Sequence, residues 1–114
     1  MGQIIHLDLN SATLYGQEPR KNAFVIDSLV KGIEAGDSFP PVPIELVGLQ
    51  EYRIIWQGHH RAVAHYIAGV PLVCELDARR VYRYTGKEMR IGDIELIENF
   101  EGFQARKERD SNYR

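Results

Sequence analysis

A small α+β domain, with a mixed β-sheet covered by helices, is the fold class that the sequence predicts, and three observations carry it. The chain has 114 residues, enough for one modest core and too few for a second module of ordinary size. Short runs rich in β-branched and aromatic residues alternate with segments whose apolar residues recur at helical spacing, which implies strands interleaved with helices. At Trp56-Gln57-Gly58-His59-His60-Arg61-Ala62-Val63-Ala64 a strand ends, a glycine opens a turn and three cation-capable side chains meet a new helix.

Taken in order, Gln3 to Leu9 alternates well enough to be an opening strand, and Asn10-Ser11-Ala12-Thr13 supplies turn and cap residues. Tyr15-Gly16-Gln17-Glu18-Pro19 is read as irregular loop. Phe24, Ile26, Leu29, Val30 and Ile33 mark a first helix that stops at Gly36, a residue suited to a left-handed cap. Phe39-Pro40-Pro41-Val42-Pro43 lacks the donors of three prolines and predicts a stiff extended approach to a strand at Ile44 to Val47. A turn near Gly48 to Glu51 leads into the strand Tyr52 to Trp56. A second helix follows from His60 to about Ala68, closed by Gly69, and a further strand starts at Pro71. Beyond Asp77 the pattern allows a hairpin of Arg80 to Tyr84 with Met89 to Ile91, turning at Thr85-Gly86, or one continuing strand. Ile94, Ile97, Phe100 and Phe103 predict an amphipathic helix over Asp93 to Arg109, packed on the sheet, with the last residues fraying.

Composition narrows the function classes. No apolar run approaches the ~20 residues of a membrane span, and the amino terminus lacks the cationic start and apolar stretch of a secretory signal, so a cytoplasmic protein without membrane association is expected. The single Cys74 lies in an apolar run, reads as a core filler and has no partner for an intrachain disulfide. A net charge of −2 argues against a wholly basic nucleic-acid binder. The charge is uneven, however: Arg79, Arg80, Arg83, Lys87 and Arg90 fall within twelve residues, interleaved with Tyr82 and Tyr84. That cluster reads either as a solvated charged face or as a patch for nucleic acid such as DNA.

The Gly58 turn is the candidate site. A helix start presents N–H groups and a partial positive charge, and an arginine beside it can fork two hydrogen bonds onto a phosphate. Gly58, His60 and Arg61 are the expected phosphate ligands, with His59 beside them; adjacent positions diverge, so only one of the two histidines is expected to point inward. His60 also suits proton transfer near neutral pH. A histidine metal site is rejected, because His60 and His65 lie on different helix faces. Trp56 is expected to pack in the core, although it or Tyr15 could stack on a base.

The chain resembles the ParB/sulfiredoxin superfamily over roughly Ile4 to Asp77. The resemblance rests on five segments in order: Gln17-Glu18-Pro19-Arg20, the helix Phe24 to Gly36, the strand Pro43-Ile44-Glu45-Leu46-Val47, the motif Gly58-His59-His60-Arg61, and the strand Gly69-Val70-Pro71-Leu72-Val73. Sulfiredoxins carry cysteine where His59 stands, which disfavours their chemistry here. The partition proteins carry Gly-Glu-Arg-Arg and a following helix-turn-helix domain for which this tail is too short. Gly-His-His-Arg is closest to the free-serine-kinase branch, although Gln57 replaces its usual aspartate.

The resemblance implies one ParB-like domain, with core 4–77 and a hairpin or strand plus helix over 78–109, that binds ATP, ADP or CTP with Mg2+, or another phosphorylated small molecule. It implies a phosphotransferase or a phosphoester hydrolase of the nuclease-like kind, with Glu18 and His60 as catalytic groups. Arg20 would be either a second phosphate ligand or a structural partner of Glu18. The alternative is a nucleotide- or DNA-associated module without turnover. Exposed edges of a small mixed sheet permit a homodimer without requiring one.

Overall fold

The computed structural model describes residues 2–18 and 20–97. Among them a six-stranded mixed sheet in the order β1-β6-β4-β5-β2-β7 is built from β1 (Gln3–Leu7), β2 (Thr13–Gly16), β4 (Val42–Gly48), β5 (Glu51–Ile54), β6 (Leu72–Val81) and β7 (Met89–Arg90). A separate pair joins β3 (Arg20–Asn22) to β8 (Glu95–Ile97) in parallel. The helices are α1 (Ala23–Glu34) and α2 (His59–Ala68), and a 3-10 turn spans Ile91–Asp93. The expected α+β class, a mixed sheet with helices covering it, is what is found.

Strand alternation puts Leu14, Val42, Ile44, Ile54, Leu72 and Cys74 on the sheet face turned toward the helices, where they form one apolar cluster with Ile26 and Ile33 of α1 and Ala62, Val63 and Ala64 of α2. Ala62 and Ala64 are fully buried, and their small side chains let α2 approach closely. The Asn22 side chain caps α1, accepting from Phe24 N–H at 2.8 Å and Val25 N–H at 3.4 Å. Gly69 closes α2 in a left-handed conformation, as its position predicts.

On the opposite face, Glu45, Arg53 and Tyr15 stand in one row across β4, β5 and β2. Glu45 is buried and receives Arg53 Nη1 at 2.7 Å and Arg80 Nε at 3.3 Å. Tyr82 lies over Arg53 with 4.0 Å from the guanidinium carbon to the ring centre, and Tyr84 packs on Tyr15 with ring centres 5.0 Å apart. Residues 82–88 thus run across this face of the sheet.

Several expectations are corrected. Tyr15 and Gly16 belong to β2, paired in parallel with β5, rather than to an irregular loop. The strand after Pro71 runs on to Val81, and Met89–Arg90 pairs with β2 at the far edge, so no hairpin joins the two segments. The expected helix over Asp93 to Arg109 does not begin where predicted: Asp93 ends a 3-10 turn and Glu95–Ile97 is a strand, while 98–109 lie outside the described residues. The core also extends past Asp77 to Ile91 and Ile94. Cys74 is fully buried in the core, as expected. Among the described residues no helix is long and apolar enough to cross a membrane.

Candidate functional site

Gly58 makes the turn into α2 with φ 109° and ψ 10°, a conformation that side chains disfavour. It also has no room for one: a Cβ there would lie 2.7 Å from Val42 Cγ1, and Val42 is fully buried. No side chain caps the first turn of α2. The helix start opens instead onto a cavity of about 700 Å³. Its lining combines polar groups, namely Glu18, Gln57, Gly58, His59, His60 and Arg61, with apolar walls from Val25, Leu29, Phe39 and Trp56.

Both histidines are buried, His59 with 4% and His60 with 6% of its surface exposed, so the expectation that only one points inward is overturned. They can share the interior because α2 begins against the sheet and the loop after β2 closes over its first turn. The His59 ring sits against Gly16, where a Cβ would lie 2.7 Å from its Cδ2. Gln17 N–H donates to His59 Nε2 at 3.1 Å, which places the proton of the neutral ring on Nδ1. That Nδ1 lies 3.6 Å from Glu18 Oε1. The Gln17 side chain in turn donates to the Ile54 carbonyl at 2.8 Å and ties the loop to the end of β5.

Glu18 is half exposed and forms an ion pair with Lys21, whose own side chain is buried. Burial alone would raise the Glu18 carboxyl, but the hydrogen bond from Lys21 and the charges of His59, Lys21 and His60 outweigh it and hold it below the usual range. Burial, with Lys21 and Arg53 adding to it, depresses His59 against the pull of Glu18. Burial followed by the Lys21 charge lowers His60 to about 4, so the ring is neutral at physiological pH. Arg61 reaches back across the cavity rim and donates from Nη1 to the Pro40 carbonyl at 2.5 Å.

Gly58, His59, His60, Arg61 and Glu18 therefore meet at one cavity. Lys21 forms an ion pair with Glu18, and the Arg20 side chain, expected as a phosphate ligand or a partner of Glu18, lies outside the described residues. Trp56 is 67% exposed in the cavity wall and not in the core, whereas Tyr15 is buried beneath Tyr84 and cannot stack on a ligand. His65 points away, its Nδ1 3.2 Å from the Pro71 carbonyl. Among the described residues no group of three or more His, Cys, Asp or Glu side chains is arranged to hold a metal ion.

Sequence reasoning missed Lys21, the Gln17 anchor and the Leu29 and Phe39 walls. Only Lys21 had a local signal, its three-residue spacing from Glu18. In the basic cluster, Arg79 lies 3.6 Å from Asp77 and Arg80 pairs with Glu45, leaving Arg83, Lys87 and Arg90 as its other exposed cations. Compared with known proteins, the chain matches no family model, no curated protein and no solved structure.

Proposed function

We propose that the chain binds a phosphate ester, a nucleotide in particular, in the cavity at the start of α2. The observation that carries this reading is the lining itself: one cavity is walled both by an uncapped helix start with Arg61 and by Trp56, Phe39, Leu29 and Val25. The first set suits phosphate oxygens and the second suits a planar apolar base. The volume of about 700 Å³ falls within the range of small-molecule sites. With His60 neutral at physiological pH and both His59 nitrogens facing Gln17 and Glu18, Arg61 and the helix dipole supply the positive potential. The resemblance of the Gly58-His59-His60-Arg61 turn to the ParB/sulfiredoxin superfamily points the same way.

In this reading the chemistry is phosphoryl transfer or phosphoester hydrolysis, with Glu18 orienting the attacking hydroxyl or water and Mg2+ accompanying the nucleotide. A second reading, a binding module without turnover, is favoured by one observation. The ion pair with Lys21 holds the Glu18 carboxyl low, and a carboxylate so stabilised is a weak base.

Thermal-shift measurements with ATP, ADP, CTP and GTP plus magnesium test the binding. A ligand at a hundred times its Kd adds about 2.7 kcal/mol, which raises Tm by several degrees in a domain of this size. The expected result is a shift for at least one nucleotide that is lost in Arg61→Ala and reduced in Trp56→Ala. No shift with any nucleotide overturns the reading. Turnover in the wild type that Glu18→Gln abolishes while binding persists selects the enzyme; binding without turnover selects the module.

A further inference from the structure

We propose that His59 and Lys21 are positioning residues that hold the Glu18 carboxylate from two sides, making it a fixed hydrogen-bond acceptor at the cavity wall for a hydroxyl or amine of the bound phosphate ester. The ligand half of this statement rests on the phosphate-ester reading above; the positioning half rests on the geometry alone. Gln17 N–H occupies His59 Nε2, so the ring has one remaining nitrogen, and that nitrogen faces Glu18 Oε1 at 3.6 Å. The ring cannot swing away, because Gly16 leaves room for it only by lacking a side chain and it is 4% exposed.

From the other side, Lys21 is 7% exposed, and its ion pair with Glu18 gives the buried ammonium its counter-charge. An ammonium so placed is costly unless paired, so the carboxylate is drawn to it whether or not the cavity is filled. His60 lines the same cavity as Glu18, and the charges of Lys21 and Arg53 act on His59. The result is an acceptor set in place before a ligand arrives. A phosphate ester carrying a donor near its phosphate finds both partners in place, whereas inorganic phosphate finds only one.

Nuclear magnetic resonance on the full chain tests the positioning without any ligand. Long-range proton–nitrogen correlation of the His59 ring reads its tautomer, and a carboxyl-carbon titration, assigned by difference with Glu18→Gln, reads Glu18. The expected results are a His59 ring protonated on Nδ1 and a Glu18 carboxyl that titrates below the ordinary range. In Lys21→Met, which keeps the buried stem and removes the charge, the Glu18 midpoint rises, and Lys21→Arg restores it. His59→Gln keeps an acceptor for Gln17 N–H but loses the donor toward Glu18, and also raises the midpoint.

An Nε2-protonated His59, or a wild-type Glu18 titrating at or above the ordinary range, overturns the proposal even if the Lys21 variants do not fold. So does a folded Lys21→Met with an unchanged Glu18 midpoint. The two readings fail separately: loss of every nucleotide shift removes the ligand and leaves the held carboxylate, while a wrong tautomer removes the held carboxylate and leaves the nucleotide shift.

Discussion

Replacing Gly58 by alanine strikes the turn that opens α2 in two independent ways. Its φ of 109° is unfavourable for any residue with a Cβ, at a cost of about 1–2 kcal/mol. The new methyl would also lie 2.7 Å from Val42 Cγ1 and 2.8 Å from its Cγ2, both on a fully buried side chain that has nowhere to retreat, and overpacking of this kind costs about 1–3 kcal/mol. Together the loss is about 2–5 kcal/mol, and at about 4–8 °C per kcal/mol Tm falls by roughly 10 °C or more. Gly69→Ala is the internal control: φ is 71° but nothing lies within 4 Å of its added Cβ, so only the conformational cost applies. Urea and thermal unfolding of Gly58→Ala, Gly69→Ala, Val42→Ala and the Gly58→Ala/Val42→Ala double variant isolate the clash. The double variant is expected to be more stable than the sum of its parts by about 1 kcal/mol or more, because trimming Val42 removes the collision. Strict additivity, or a Gly58→Ala loss no greater than that of Gly69→Ala, would refute the steric reasoning.

Glu45→Ala leaves the largely buried Arg53 without its carboxylate, and urea unfolding should show a loss of about 3–5 kcal/mol; Arg80→Ala, whose side chain is half exposed, should cost less than about 1 kcal/mol. Acid should weaken the fold below neutrality: His60 is lowered from 6.5 to about 4 in the native state, so the unfolded chain binds the extra proton and stability present above pH 6.5 is lost as pH falls toward 4. The loss from this ring is about 3 kcal/mol, and the lowered Glu18 adds to it in the same direction further into the acid; urea midpoints that stay level between pH 7 and pH 5 would contradict it. Burial pushes the Cys74 thiol up to about 12, so a thiol reagent at pH 8 should leave the native protein unmodified and react once urea unfolds it; rapid native labelling would refute the buried placement.

Elements whose causes are local in the chain were legible before the structure. The apolar spacing from Ile26 to Ile33 and the glycine after α2 read correctly, and so did the β-branched and aromatic run before Gly58, because each depends on neighbours within a turn or two. The meeting of Gly58, His59, His60 and Arg61 at a helix start was legible for the same reason. What only tertiary structure decided is which distant groups face one another. Tyr15 and Gly16 became a strand because β5 and Met89–Arg90 flank them, and the segment after Val81 crossed the sheet because Arg53 and Tyr15 offered surfaces to Tyr82 and Tyr84. Trp56, apolar enough for any core, stands in the cavity wall, both histidines are buried, and Gln17 N–H closes on the His59 ring. The sequence by itself determined the periodic elements and the composition of the α2 start; the fold determined that Glu18 answers to His59, because pairing across 42 positions of chain, as from Gln17 to His59, is fixed by packing and leaves no periodic trace.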